Sequence, residues 1–219
     1  MKGLIVLCVF ILCLSVQAAE YPVINDSFFN IKLGQNISTL KNYLDSKDIL
    51  YLKKDKVYDV VPGKSLAVSN TLFVINAFKT ESGESVKLEI LLYKDQVMDI
   101  TVQIPFTADT LQQKVENIRP ALFKKYGKPY SVKGTGIQNT GKIIFRKPYS
   151  ALSVMENQNK YVNIVFAYSY NNGNTSDDYL MISYIYEDII TDFEQYLSVI
   201  KENARTAPNA PAKSLIDEL

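Results

Sequence analysis

Hydrophobic residues recur at helical spacing in three segments of the chain. Ile37, Leu40 and Leu44 are separated by three and four residues, and Asn36 or Ser38 can cap the free amides at the start of this first segment. The second segment extends from about residue 109 to 126, and the third from about 187 to 203. Their apolar stripes comprise Leu111, Val115, Ile118, Leu122 and Tyr126, and Ile189, Ile190, Phe193, Leu197 and Ile200. The spacing predicts three amphipathic helices.

The second helical segment carries its own start and stop signals. Thr110 and Gln113 have the spacing of a capping box, and Gly127 with Pro129 ends the pattern. Pro120 lies inside it, where it removes a backbone donor and crowds the preceding turn. A kink or a break is therefore expected at Pro120.

Between the helical segments, apolar and polar residues alternate with the period of a strand. Val86 to Leu92 and Met98 to Ile104 alternate on either side of a polar turn at residues 94–96, which predicts a hairpin, and residues 72–78 are expected to pair with it. Four further strands are predicted at about residues 143–146, 152–155, 162–168 and 180–186. Short loops between successive strands favour antiparallel pairing. The predicted fold class is α+β, an antiparallel sheet with helices packed on one face, and the element order permits two similar halves at residues 28–104 and 106–186.

The N-terminal residues have the pattern of a signal peptide. A charged start at Lys2 precedes an apolar run at residues 4–14, and the small residues Val16 and Ala18 precede the expected cleavage point. Residues 1–18 are therefore predicted to be a signal peptide, 19–203 a single α+β domain and 204–219 a flexible tail. The apolar run is too short to span a bilayer, so no stable membrane insertion is expected. Leucine precedes both Cys8 and Cys13, which argues against lipidation.

The composition after residue 18 excludes several classes of function. Removal of Lys2 leaves 24 − 1 = 23 basic residues against 23 acidic ones, so nucleic acid is not an expected partner. Histidine, cysteine and tryptophan are all absent from this part of the chain. Catalytic sites that use histidine or cysteine are thereby excluded, and we assign no catalytic, cofactor-binding or metal-binding residue. The excess of lysine over arginine and the compact signal peptide are typical of bacteria, which predicts a periplasmic or secreted protein.

Three short motifs have structural explanations. Residues 136–142 have the glycine and lysine spacing of a phosphate-binding loop, but a strand rather than a helix follows Lys142, so a hairpin loop is the better interpretation. Ser38 and Lys41 have the spacing of serine enzymes with a lysine base, although a hydroxyl at a helix start is typically a cap. The oxygen-rich loop at residues 171–178 departs from the EF-hand pattern and is interpreted as a solvated turn.

Two segments carry a resemblance to a known group of proteins. Residues 29–34 (FNIKLG) precede the first helix, and residues 122–129 (LFKKYGKP) close the second. This pattern resembles small exported bacterial α+β proteins of the outer-membrane-assembly-lipoprotein and β-lactamase-inhibitor-protein type. The resemblance implies helices packed on an antiparallel sheet and binding to other proteins rather than catalysis. It carries no functional residue over to this chain.

These observations lead to one main hypothesis, an exported, non-catalytic protein-binding module of the inhibitor or immunity type, whose partner is another protein. Tyrosine suits such a surface, and the relevant residues are Tyr161, Tyr168, Tyr170, Tyr184 and Tyr186, which can equally be core residues. One alternative is an envelope hydrolase that acts on glycan through carboxylates, for which Glu187, Asp188 and Asp192 are close in sequence. Acids in the first turn of a helix also have a structural explanation. A structural envelope component is the other alternative.

Overall fold

The computed structural model describes residues 27–60, 67–80, 83–134, 140–149, 160–170 and 178–206. In these residues, runs of strands are separated by single helices. The strands are β1 (Ser27–Phe28), β2 (Ile31–Lys32), β3 (Leu52–Asp59), β4 (Ala67–Lys79), β5 (Ser85–Tyr93), β6 (Gln96–Gln103), β7 (Ser131–Lys133), β8 (Thr140–Pro148), β9 (Tyr161–Ser169) and β10 (Tyr179–Tyr186). The helices are α1 (Ile37–Ser46), α2 (Ala108–Tyr126) and α3 (Glu187–Thr206). The predicted α+β class is confirmed.

Eight of the strands form one antiparallel sheet in the order β3-β4-β5-β6-β10-β9-β8-β7. The chain contains two units of one helix followed by four strands, namely α1 with β3–β6 and α2 with β7–β10. Each of these helix–four-strand units contributes four neighbouring strands to the sheet. The last strands of the two units, β6 and β10, pair with each other at its centre. Thr101 lies directly opposite Ser183 in this central pair. The strand order is therefore symmetrical about the β6–β10 pair.

One face of the sheet carries the main hydrophobic core. Phe73 on β4, Phe145 on β8 and Phe166 on β9 are completely buried there, under α1 and α2. Leu40 and Leu44 of α1 and Leu111, Leu122 and Tyr126 of α2 belong to the same cluster. Burial of this many large apolar side chains is the main driving force for folding.

The third helix lies on the opposite face, whereas one shared face had been predicted for all helices. Phe193 of α3 packs between Tyr58 and Tyr93, with ring centroids 5.1 and 5.0 Å away. Leu91 and Met98 contact the same cluster. Strands β4 to β6 carry apolar side chains on both faces, so the sheet needs a second cover at this end.

The ends of the helices differ in detail from the predictions. Asn36 is the N-cap of α1, as expected, and its Oδ1 accepts a hydrogen bond from the backbone N–H of Ser38 at 2.9 Å. The capping box of α2 uses Thr107 and Thr110 instead of Thr110 and Gln113, with Thr107 N–H donating to Thr110 Oγ1 at 2.8 Å. The helix continues through Pro120 without a break.

The remaining differences concern segment boundaries and strands that the pattern did not reveal. Helix α3 extends to Thr206, three residues beyond the predicted end of the domain at residue 203. The sequence pattern does not predict the edge strand β3. Its many charged residues leave no continuous apolar face, and nearly all of its side chains are exposed. The predicted signal peptide, the strand at 152–155 and residues 207–219 lie outside the described residues.

A close contact between β8 and β9 yields the first testable prediction. A Cβ added to Gly141 would lie 2.5 Å from Cζ of the Tyr168 ring, opposite it in the sheet. We expect Gly141→Ala to lower the free energy of unfolding by about 1–3 kcal/mol, because the buried ring must move. Urea denaturation measures this. The double variant Gly141→Ala, Tyr168→Leu should lose less than the sum of the single variants, and simple additivity would contradict the contact.

Candidate functional site: the open face of the sheet

Five apolar side chains in the second half of the sheet lie outside every hydrophobic cluster that the helices close among the described residues. They are Ile144 on β8, Val165 and Ala167 on β9, and Met181 and Ile185 on β10. The register places all five on the face opposite the main core. Ile144, Met181 and Ile185 remain half-buried. We call this surface the open face, and it also includes Asp99, Thr101, Lys142, Arg146, Asn163 and Ser183.

Regular alternation with Thr101 places Asp99 on the open face, and a β-bulge beside it changes the face of Met98. Leu91 pairs with Asp99 and Leu92 pairs with Val97, so Met98 is an extra residue on β6. Val97 joins the main core and Met98 joins the cluster under α3. The predicted alternation of Met98 with Ile100 and Val102 is therefore wrong at Met98. Bulges commonly redirect a side chain in this way.

Three polar side chains form a hydrogen-bonded chain at the centre of the sheet. The Thr101 and Ser183 hydroxyl oxygens are 2.7 Å apart, and the Thr101 hydroxyl donates to Asp99 Oδ1 at 3.1 Å. Since Thr101 donates its proton to Asp99, Ser183 donates to Thr101. Thr101 and Ser183 are both buried. This chain joins β6 to β10 through side chains as well as through the backbone.

The environment of Asp99 disfavours its charged form. Loss of solvent is the main cause, and it raises the pKa of Asp99 to about 7. Glu89 raises this pKa further, whereas the hydrogen bond from Thr101 and the charge of Lys56 oppose the shift. The carboxyl group is therefore partly charged near neutral pH. Strongly perturbed carboxyl groups occur more often at functional sites than elsewhere.

Arg146 and Glu187 attach the start of α3 to the open face. Arg146 donates from Nε to Oε2 at 2.7 Å and from Nη2 to Oε1 at 2.5 Å. Asn163 Nδ2 also donates to Glu187 Oε2, at 3.2 Å. The Arg146 guanidinium lies 3.9 Å from the centroid of the Tyr161 ring. The side chains at this end of the open face are consequently held in one arrangement.

Two of the three acids considered for glycan hydrolysis, Asp188 and Asp192, line the same cavity, and Glu187 does not line it. Glu187 is engaged with Arg146 and Asn163. Asp188 lines a cavity of about 320 Å³ with Lys160 and Tyr186, and Asp192 lies 2.9 Å from Lys94 Nζ. Desolvation raises the pKa of Asp188, Lys160 lowers it, and Glu187 raises it. Ion pairing and packing explain the positions of these three carboxylates, and their positions do not by themselves indicate a catalytic pair.

The five tyrosines considered for binding are mainly core residues. Tyr168 and Tyr184 are buried in the main cluster, and Tyr170 and Tyr186 pack against it. Tyr161 alone among them lies on the open face, beside Arg146. Of these five tyrosines the open face therefore contains one, and Tyr179, which alternates with Met181 on β10, lies on the same face.

The remaining sequence motifs fall partly outside the described residues. The Ser38 hydroxyl donates to Asn36 Oδ1 at 3.0 Å, so Ser38 supports the cap residue Asn36 and is not itself the cap. Lys142 lies in β8, as the strand interpretation of that motif predicts, whereas residues 135–139 are not described. The oxygen-rich loop is not described at residues 171–177. Sequence reasoning did not single out Asp99, although an acid within an apolar strand was a usable signal.

Removal of the Asp99 charge gives a pH-dependent prediction. The folded pKa is raised, so folding disfavours the charged form, and wild-type stability should fall as pH rises from about 4 to about 7. Asp99→Asn should therefore raise the free energy of unfolding at pH 8, by up to about 4 kcal/mol, and have little effect at pH 4. Urea denaturation at both pH values measures the difference. Asp55→Asn on the exposed edge strand is the control, and an equal gain at both pH values would contradict the assignment.

The ion pair at the start of α3 gives a further prediction. Both partners are partly buried, with side-chain exposures of 35% for Arg146 and 26% for Glu187. We expect Glu187→Gln to lower the free energy of unfolding by about 1 kcal/mol, since it removes a bidentate, charge-assisted contact. Thermal unfolding at low and high salt tests this. Glu194→Gln, an exposed position on α3, should have no measurable effect, and a matching loss there would refute the prediction.

Comparisons of this chain with known protein-family models, with curated proteins and with solved structures found no match. In the described part of the chain, no helix combines the length and the apolar character needed to cross a membrane.

Proposed function

We propose that this protein is an exported, non-catalytic binding module whose open face occupies the surface of another protein. The observation that supports this most directly is the group of apolar side chains, Ile144, Val165, Ala167, Met181 and Ile185, that belongs to no cluster formed with the helices. Val165 and Ala167 are buried, so the accessible apolar surface comes from the half-buried Ile144, Met181 and Ile185. Apolar surface of this kind favours association with a partner. An inhibitor or immunity-type protein of the bacterial periplasm or of the secreted fraction is the form of this function that we favour.

The composition of the open face supports a protein partner. An apolar centre is bordered by Arg146, Tyr161 and Lys142, and such a polar border is typical of protein interfaces. Arginine, tyrosine and methionine are all enriched at interfaces. The balanced charge of residues 19–219 gives no support for binding to nucleic acid.

Export is supported by the N-terminal sequence. Residues 1–18 combine a charged start, a short apolar run and small residues before the expected cleavage point. After cleavage the chain would contain no cysteine. Its stability would then not depend on the redox state of the compartment that receives it.

Asp99 gives the proposed interface a chemical preference. A partner that covers the open face removes more solvent from this carboxyl group, which increases the cost of its charge unless a cation pairs with it. A lysine or arginine side chain of the partner would supply that cation. Binding should then strengthen as pH rises through about 7, the pKa of Asp99 in the unbound protein.

The experiment that tests this function compares surface variants in a capture assay. Residues 19–219 carrying a C-terminal tag are incubated with native envelope and culture fluid, and stoichiometric partners are identified by mass spectrometry. The double variant Ile144→Glu, Met181→Glu should lose the partner, because two charges enter the apolar centre. Val199→Glu on α3 is the matched control, since Val199 is also exposed and apolar (58%) but lies on the helix and not on the open face.

Two further results decide the outcome of this experiment. Circular dichroism must show that the double variant is folded at the assay temperature. Recovery of the same partner by wild type and folded double variant would refute the open face as the interface. Asp99→Asn should remove the increase in affinity between pH 6 and pH 8, and a retained increase would contradict the role of Asp99.

A further inference from the structure

The edge of the sheet has a step where β4 continues beyond β3. Leu52, the first residue of β3, pairs with Val74, whereas β4 extends to Lys79. In the described residues, Ile75, Phe78 and Lys79 pair with β5 and with no other strand, and a register shift separates Ile75 from Phe78. The backbone groups of this stretch that point away from β5 therefore face a position that none of the described strands occupies. Such groups can form main-chain hydrogen bonds with an added extended segment.

An apolar groove lies next to this step. It has a volume of about 760 Å³ and is lined by Phe29, Tyr43, Ile49, Tyr51 and Phe78, among other residues. Two aliphatic side chains in its lining are strongly exposed, Leu50 at 90% and Leu52 at 51%. The combination of this strand position and an apolar groove suits an extended peptide that carries large aliphatic side chains.

The charges around the step indicate an acidic peptide. Lys47 and Lys79 line the groove, where Asp48 is the acidic lining residue. Along the exposed strand β3 the three lysines Lys53, Lys54 and Lys56 outnumber the two aspartates Asp55 and Asp59. The occupant should therefore combine aliphatic residues with carboxylates.

This chain contains such a segment beyond α3. Residues 215–219 read Leu-Ile-Asp-Glu-Leu, and no proline follows Pro211. Ala204, near the end of α3, packs with Val60, which directly follows β3. The segment is thus tethered at the end of β3 that is remote from the groove.

The length of the tether matches the distance to the groove. Strand β3 spans Leu52–Asp59, about 26 Å at the rise of an extended chain. Leu215 lies nine residues after Thr206 and Leu219 thirteen, which corresponds to about 30 and 43 Å of extended chain. A tail that runs along β3, antiparallel to it, would therefore bring residues 215–219 to the step.

We propose that the step and its groove form a binding site for an extended acidic, leucine-containing peptide, and that residues 213–219 of the same chain occupy it. Covalent attachment gives this segment a high effective concentration at the site. The site is separate from the open face, and the proposal does not depend on the proposed function.

Amide hydrogen exchange by NMR tests the occupancy. The backbone amides of Ile75–Lys79 that point away from β5 should exchange at least tenfold more slowly in the full chain than in a variant truncated after Thr206. The difference should be the same at low and high protein concentration. Equal exchange in the two proteins would refute the proposal, and protection that increases with protein concentration would assign the site to the tail of a second copy instead.

A fluorescent reporter provides a second measurement. Since the chain has no tryptophan, Ile216→Trp introduces a single emitting residue in the tail. Docking predicts emission at a shorter wavelength than that of solvent-exposed tryptophan, and the added substitutions Lys47→Glu and Lys79→Glu should abolish this shift. Asp217→Lys and Glu218→Lys, combined with those two changes, should restore it. Emission typical of exposed tryptophan in the parent reporter would overturn the proposal.

Discussion

The pairing of β6 with β10 is the interaction on which the rest of the structure depends. These two strands end the two helix–four-strand units, and their five residue pairs join two meanders into one sheet. The main core crosses this seam, since Ile100 on β6 and Tyr184 on β10 belong to the same cluster. The hydroxyl contact of Thr101 with Ser183 lies at the same seam. Because the sheet is continuous, all three helices pack against the same sheet. Their positions on its two faces determine which strands remain uncovered.

The two faces of the sheet are covered unequally because the helices are distributed unequally between the halves. Helices α1 and α2 each cover strands on the main face. Helix α3 follows β10 directly and crosses toward the apolar residues of β4 to β6. The strands of the second half therefore keep apolar side chains outside the clusters. A bulge sends Met98 toward α3, and the adjacent Asp99, which alternates regularly with Thr101, lies at the border of this region, where its charge costs stability.

The open face and the edge step expose different kinds of bonding capacity. The open face presents side chains, so its recognition depends on shape and on the charge of Asp99. The edge step presents backbone groups and a groove, so it favours an extended segment of suitable composition. Long exposed strand edges also promote unwanted association, and lysines such as those on β3 are a common protection against it. A tail docked at the step would complete that protection beyond Leu52, where β3 begins.

The sequence by itself determined the fold class, all three helices and most of the strands of the sheet. Those features depend on the periodicity of hydrophobic residues that are close together in the sequence. Asn36 as a cap and the strand after Lys142 were predictable for the same reason. The edge strand β3 was not predictable from the pattern, because an exposed strand does not require alternating apolar residues. Only the tertiary structure decided that α3 crosses to the second face and that Asp99 meets Thr101 and Ser183. Those arrangements depend on contacts between residues distant in sequence, which are 82 positions apart for Thr101 and Ser183 and 193 − 58 = 135 positions apart for Phe193 and Tyr58.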